Sequence, residues 1–277
     1  MRLAATITIM GTALAMAGCN GGSDSQDNTA SGSSSGTITV SSISANKLQY
    51  SQQTRFTVSG QGLDQGISLS ASGCSNIVAV AGGTASQQVF TCNVSASGNW
   101  AAEVKASNGS VLLSASQTVP QPQVSMKTSM GDMVLELYPD KAPITVANFM
   151  QYANSGFYNN LIFHRVVKEF VVQGGGISVT GQTPATQPPI KLEVGKGLSN
   201  VRGSIAMART SALDSATSQF FINTVDNTQL DTQGGGYAVF GKVVSGLTVV
   251  DQINLVPTDS NSQPLTQVVI KSVSQIK

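Results

Sequence analysis

Phe163-His164-Arg165-Val166-Val167-Lys168-Glu169-Phe170-Val171-Val172-Gln173-Gly174-Gly175-Gly176 is the stretch on which the fold of this chain turns. It sets an arginine, an amide and an aromatic side by side and ends in a glycine run. Ser218-Gln219-Phe220-Phe221 follows further along. His164 is the single histidine of the chain, so chemistry here must proceed largely without acid–base machinery. Side chains alternate along a strand, so Arg165 and Gln173 share a face if the stretch stays extended, though Lys168-Glu169 can bend it. By the same alternation His164 goes with Ile162 and Val166, away from Arg165, and reads as a satisfied core histidine. Phe220 alternates with Phe221 and also reads as core. Gly174–Gly176 and Gly234–Gly236 lack a Walker lysine and a strand–glycine–helix context, so they read as turn glycines rather than phosphate loops.

Further anchors extend the pattern. They are Arg202-Gly203-Ser204-Ile205-Ala206-Met207-Ala208, Ser218-Gln219-Phe220-Phe221-Ile222 and Tyr237-Ala238-Val239-Phe240-Gly241-Lys242-Val243. In order and spacing they make the chain from Val124 to its end resemble a bacterial-type cyclophilin, a peptidyl-prolyl cis–trans isomerase. The resemblance implies a mainly β fold: a closed β-barrel capped by two helices, over residues 124–277. It implies catalytic roles for Arg165 and Gln173. It implies substrate contacts from Phe170, Val171, Ala208, Arg209, Phe221, Leu230 and Tyr237. Neither a metal nor a cofactor is expected. Three positions depart from the family pattern. Gln229 precedes Leu230 where members usually carry an aromatic that matters for cyclosporin binding, so weak cyclosporin affinity is expected. Tyr237 stands where many members have histidine, and Val171 where methionine is commoner.

The reaction itself explains so sparse a site. Rotation about a prolyl amide breaks its resonance, a barrier of roughly 18–20 kcal/mol. Unaided, it takes on the order of tens to hundreds of seconds. No bond is made or broken, so what is needed is tighter binding of the twisted amide than of the planar one. The twisted nitrogen is pyramidal and regains a lone pair, which a fixed cationic donor can bond. Arg165 is the candidate donor. A 10⁵-fold acceleration would require about 7 kcal/mol of such preference. Gln173 can hold the substrate carbonyl or orient Arg165. Phe170, Val171, Phe221 and Leu230 would line an apolar socket for the proline ring, with Tyr237 at its rim. Ala208 and Arg209 would offer backbone to an extended substrate, as an added strand does.

The rest of the chain reads as an exported protein. Of its 277 residues only 10% are charged and the net charge is +1, so no basic face for nucleic acid is implied. Arg2 precedes the apolar run Leu3–Ala17, which is too short to span as an ordinary transmembrane helix. Residues 1–18 therefore read as a signal peptide. Two cleavage readings stand: a small-residue site at Ala15-Met16-Ala17, and the lipobox-like Met16-Ala17-Gly18-Cys19. Cysteine arithmetic favours the second. In an oxidising compartment Cys74 and Cys92 can pair, and lipidation accounts for the leftover Cys19. Asn20 in place of aspartate leans towards the outer membrane. Residues 19–36, rich in Gly and Ser, read as a flexible tether.

Residues 37–119 carry short β-rich runs separated by Gly, Ser and Asn, the pattern of a small β-sandwich with an immunoglobulin-like texture. Cys74 falls in a loop-like stretch and Cys92 in a strand, so a loop-to-strand staple is expected, and Trp100 reads as core. Val119-Pro120-Gln121-Pro122-Gln123 reads as a short stiff linker. Beyond it, strands are expected at Val124–Thr128, Met133–Tyr138 and Val268–Ile276. Helices are expected at Pro143–Ser155 and Leu247–Asn254. The functional expectation is a monomeric isomerase, lipid-anchored at Cys19 in the cell envelope, acting on proline-containing segments of exported proteins. The rival expectation is a module that binds proline-containing segments or adheres at the envelope, with incidental isomerisation.

Overall fold

The computed structural model describes residues 37–277. The expected signal peptide, Cys19 and the tether lie outside the described residues. The chain divides into two compact units. The first lies within residues 37–118, apart from Gln49–Ser51 and Ala96–Gly98; the second takes those residues and Val119–Lys277.

The first unit is built from β1 (Thr39–Ala45), β2 (Gln53–Gln61), β3 (Ile67–Ala71), β4 (Cys74–Ala79), β5 (Gln87–Val94), β6 (Gly98–Ala106) and β7 (Val111–Val119). One sheet runs β1-β2-β5-β4 and the other β3-β6-β7. Alternation decides the inner faces. Thr54, Phe56 and Val58 of β2 are buried at every second position, as are Trp100, Ala102 and Val104 of β6. Phe56 and Trp100 meet across the two sheets at 6.3 Å between ring centroids. Trp100 is core, as its sequence context implies. Its indole lies so close to Gly73 that a Cβ there would come within 2.1 Å of the ring, so only glycine fits. Cys74 and Cys92 form a disulfide with Cα atoms 5.7 Å apart. The loop-to-strand staple needs correction, because Cys74 opens β4 and pairs with Val94 of β5. β4 escaped notice because its side chains are almost all exposed or half-exposed, which leaves no apolar alternation to read.

The second unit contains β8 (Gln123–Thr128), β9 (Gly131–Leu137), α1 (Pro143–Asn154), β10 (Leu161–Val167), β11 (Val171–Ser178), β12 (Ser204–Met207), β13 (Phe220–Asn223), β14 (Val239–Ser245), α2 (Leu247–Asn254) and β15 (Val269–Gln275). Its strands close into a barrel in the order β10-β11-β13-β12-β14-β9-β8-β15. Closure leaves no unpaired sheet edge. The fold is mainly β with two α-helices among the described residues, as expected.

Both helices lie where the apolar spacing puts them. Val146, Phe149, Met150 and Ala153 form the buried face of α1. Pro143 starts it, where a missing N–H costs nothing. Ala142 supplies no side-chain cap. Instead the Glu193 carboxylate accepts from the amides of Ile144 (3.2 Å) and Thr145 (2.8 Å) and from the Thr145 hydroxyl (2.8 Å). A negative group suits a helix N-terminus, where free N–H groups and the helix dipole converge. Phe149 carries α1 into an aromatic core: it lies 5.2 Å from Phe240, 5.1 Å from Tyr158 and 5.8 Å from Phe220 between ring centroids. Phe220 is fully buried, as alternation predicts. Since successive strand residues point oppositely, its neighbour Phe221 is left for the other face of β13.

Candidate active site

The decisive segment is a hairpin. β10 and β11 pair antiparallel, and Arg165 stands directly opposite Gln173. Their shared face therefore comes from cross-strand pairing, and the chain does bend between them. Glu169 takes the turn with φ of 55°. The Arg165 Nη1 donates to Gln173 Oε1 at 3.2 Å. Gln173 Nε2 donates in turn to Gln219 Oε1 at 3.0 Å. Three side chains from β10, β11 and the entry to β13 thus form one polar row. Gln219 was missed by sequence reasoning, although it stands inside a quoted string. An isolated amide carries no periodic signal, and its role appears only when β13 pairs with β11.

The glycine run is a correction too. Gly174, Gly175 and Gly176 lie within β11, not in a turn. A Cβ on Gly176 would come within 2.6 Å of the Gln219 side chain, and one on Gly175 within 2.8 Å of the Ser218 carbonyl. The glycines make room for the Gln219 segment to lie against the strand.

His164 also departs from its expected place. Register runs from Phe163 opposite Gly174 to Arg165 opposite Gln173, so two steps on β10 match one on β11. His164 is the extra residue of that bulge, which breaks the alternation that sent it to the core. It is half-buried, and its Nδ1 has no hydrogen-bond partner. Burial lowers its pKa, offset in part by the nearby Ile162 backbone and Gln219 side chain, with the Arg165 charge adding to the lowering. The imidazole therefore borders the polar row and stays neutral near pH 7.

Beside the row lies an apolar socket. Val171, Ala206, Phe221, Leu230 and Val239 are buried together, with Phe170, Leu198, Ala208 and Tyr237 packed against them. The structure thus gathers Phe170, Val171, Ala208, Phe221, Leu230 and Tyr237 as the sequence suggests. Phe221 and Tyr237 meet nearly edge-on at 5.7 Å. The Ala208 amide is committed to the Gln219 carbonyl at 3.0 Å, so it is not a donor for an added strand. Arg209 turns its side chain back onto the Gly234–Gly236 loop. Gln229 is exposed next to buried Leu230.

A buried amide network ties the two sides of the socket together. Asn227 Nδ2 donates to the Phe170 carbonyl and to Asn223 Oδ1, both at 2.8 Å. Asn223 Nδ2 donates to Asn200 Oδ1 at 3.1 Å. Asn200 donates from its backbone and side-chain nitrogens to Asp231 Oδ1, each at 2.8 Å. Ser199 donates its hydroxyl to the other oxygen of Asp231. Burial pushes the Asp231 pKa up, but the bonds from Ser199 and Asn200 outweigh it and hold the carboxyl below its ordinary value. Phe170 and Leu230 are thus held from below by polar groups that alternation could not single out.

The family profile described as cyclophilin type peptidyl-prolyl cis-trans isomerase matches residues 123–275, more than half of the chain. The chain belongs to the cyclophilin family. It is 52% identical over 160 residues to peptidyl-prolyl cis-trans isomerase A of Dickeya dadantii, covering 56% of this chain and 84% of that one. It is 49% identical over 160 residues to peptidyl-prolyl cis-trans isomerase B of Escherichia coli, covering 54% of this chain and 98% of the relative. The fold resembles a crystal structure of a cyclophilin type peptidyl-prolyl cis-trans isomerase of Cryptosporidium parvum. There the TM-score is 0.50 at 28% identity, over 57% of this chain and 98% of that one. The barrel unit is therefore a cyclophilin-type isomerase domain. Cyclophilins bind proline-containing peptides, and the socket beside Arg165 has the apolar character a proline ring requires.

Proposed function

We propose that this cyclophilin isomerises X-Pro bonds in exported proteins within the cell envelope, anchored through a lipidated Cys19. The observation that carries the catalytic part is Arg165 held by Gln173 at 3.2 Å beside the Phe170–Phe221–Leu230 socket. The proline ring enters the socket, which restrains the ring while the preceding carbonyl turns. As the amide twists, its nitrogen pyramidalises and exposes a lone pair. Arg165 donates to that lone pair in the twisted state and finds little to bond in the planar one, so the barrier falls by differential binding. Gln173 accepts one guanidinium N–H and is itself fixed by Gln219, which limits how far Arg165 must reorganise. Tyr237 closes the rim, with its hydroxyl as a further donor.

Arg165→Ala is expected to lower kcat/KM on an X-Pro tetrapeptide by about 10²–10³-fold, comparable to losing one transition-state donor. Circular dichroism should show an unchanged fold. A variant with near wild-type turnover overturns the assignment. The envelope part rests on Met16-Ala17-Gly18-Cys19, on Asn20 after it and on the two remaining cysteines being used by each other. Metabolic labelling with a fatty acid should tag the wild-type protein and not Cys19→Ser. Label retained in the variant, or absent from both, removes the anchor.

A further inference from the structure

In the loop that ends in Tyr237, the carbonyls of Gly234 and Gly236 are both bound by one side chain, Arg209. Gly234, Gly235 and Gly236 have φ of 61°, 93° and 89°, three successive residues in left-handed backbone. Glycine reaches these angles freely, but it also loses the most conformational freedom when held in one of them. The amides of Gly235, Gly236 and Tyr237 bond to the carbonyls of Thr232, Gln233 and Leu230, and a side chain that ties down the loop's own carbonyls restricts it further. Half-buried Arg209, just beyond the end of β12, is that side chain. Its Nε donates to the Gly236 carbonyl at 3.0 Å, and its Nη2 donates to the same carbonyl at 2.8 Å and to that of Gly234. Its Nη1 donates to the Thr210 carbonyl at 2.9 Å. The guanidinium carbon lies 4.6 Å from the centre of the Tyr237 ring. Tyr237 in turn rests against Phe221 of the socket.

We propose that Arg209 is a positioning residue for catalysis: by clamping the Gly234–Gly236 loop and lying against Tyr237, it sets the open wall of the proline socket. This rests on the reading of Phe170, Phe221, Leu230 and Tyr237 as that socket. The contribution belongs to substrate binding, because the clamp touches no atom of the twisting amide. Arginine suits the task in a way lysine does not. A planar fork can reach two carbonyls and still lie against a ring, whereas an ammonium is a point charge on a flexible stem.

Steady-state kinetics on the full chain with an X-Pro tetrapeptide test the idea. Arg209→Ala should raise KM about fivefold and leave kcat within about twofold, the signature of lost uniform binding. Arg209→Lys should behave like the alanine variant. If Arg209 acts through Tyr237, the double variant Arg209→Ala/Tyr237→Ala should have the KM of Tyr237→Ala alone. A wild-type KM in Arg209→Ala overturns the proposal, as does a double variant whose KM rises by the product of the two single effects. Should Arg209→Ala fail to fold, Arg209→Lys carries the test, and a wild-type KM there overturns it. A wild-type KM in Tyr237→Ala would instead remove Tyr237 from the socket, a separate failure.

Discussion

Arg165 and Gln173 are legible in the sequence through the motifs that resemble a cyclophilin, and their placement opposite each other is a matter of register. His164 is the opposite case. Period-2 alternation sends it to the core, and a one-residue bulge returns it to the edge of the polar row. Its lowered pKa makes a prediction with a definite sign. As pH falls through about 6.5, the unfolded histidine takes up a proton before the native one does. Stability is therefore complete above the unfolded value and declines as pH falls from there towards the native value. His164→Gln should remove that part of the decline in denaturant titrations across the range, and kcat/KM should be flat from about pH 7 upward because the imidazole stays neutral. Gln229 supports a second residue-level prediction. Cyclosporin should bind weakly, and Gln229→Trp should tighten it; tight stoichiometric inhibition of the wild type would refute this.

At the scale of elements, α1 and α2 fall where their apolar spacing and their Pro and Gly neighbours place them. The β10–β11 hairpin was half legible: both strands read as extended, but the pairing that faces Arg165 with Gln173 is a register, set by the turn at Glu169 and the bulge at His164. The polar support of the socket was not legible at all. Asn200, Asn223, Asn227 and Asp231 look like ordinary loop and strand-end residues until β13 and its following loop bring them together. Asn227→Ala leaves the Phe170 carbonyl and Asn223 Oδ1 short of a donor. It should cost about 1–3 kcal/mol of stability in urea titrations. KM for an X-Pro peptide should rise with it, since the Phe170 carbonyl keeps only the Thr224 amide, at 3.0 Å, as a donor. An unchanged KM would mean that the network serves the fold alone.

Across the whole molecule, stability and turnover should be separable between the two units. Gly73→Ala drives a methyl into the Trp100 ring, and overpacking of this kind costs about 1–3 kcal/mol. It should lower the melting transition of the β-sandwich unit and leave kcat/KM on a peptide unchanged. Reduction of Cys74–Cys92, a crosslink spanning 18 positions, should act in the same direction by about 3 kcal/mol on the chain-entropy account. Loss of turnover on reduction would show that the first unit supports the second. The sequence by itself determined the mainly β class and the places of both α-helices, because periodicity and turn chemistry are local, and its motifs determined the resemblance to cyclophilins. It also made an acid–base site improbable, since one histidine serves the entire chain. Tertiary structure decided the rest. It set which face each residue of β10 presents, why Gly176 must be bare beneath Gln219, how four polar residues tie Phe170 to the loop around Leu230, and that Arg209 turns its side chain onto the Gly234–Gly236 loop. Those outcomes depend on strand register and barrel closure, which join residues far apart in the chain and leave no local pattern behind.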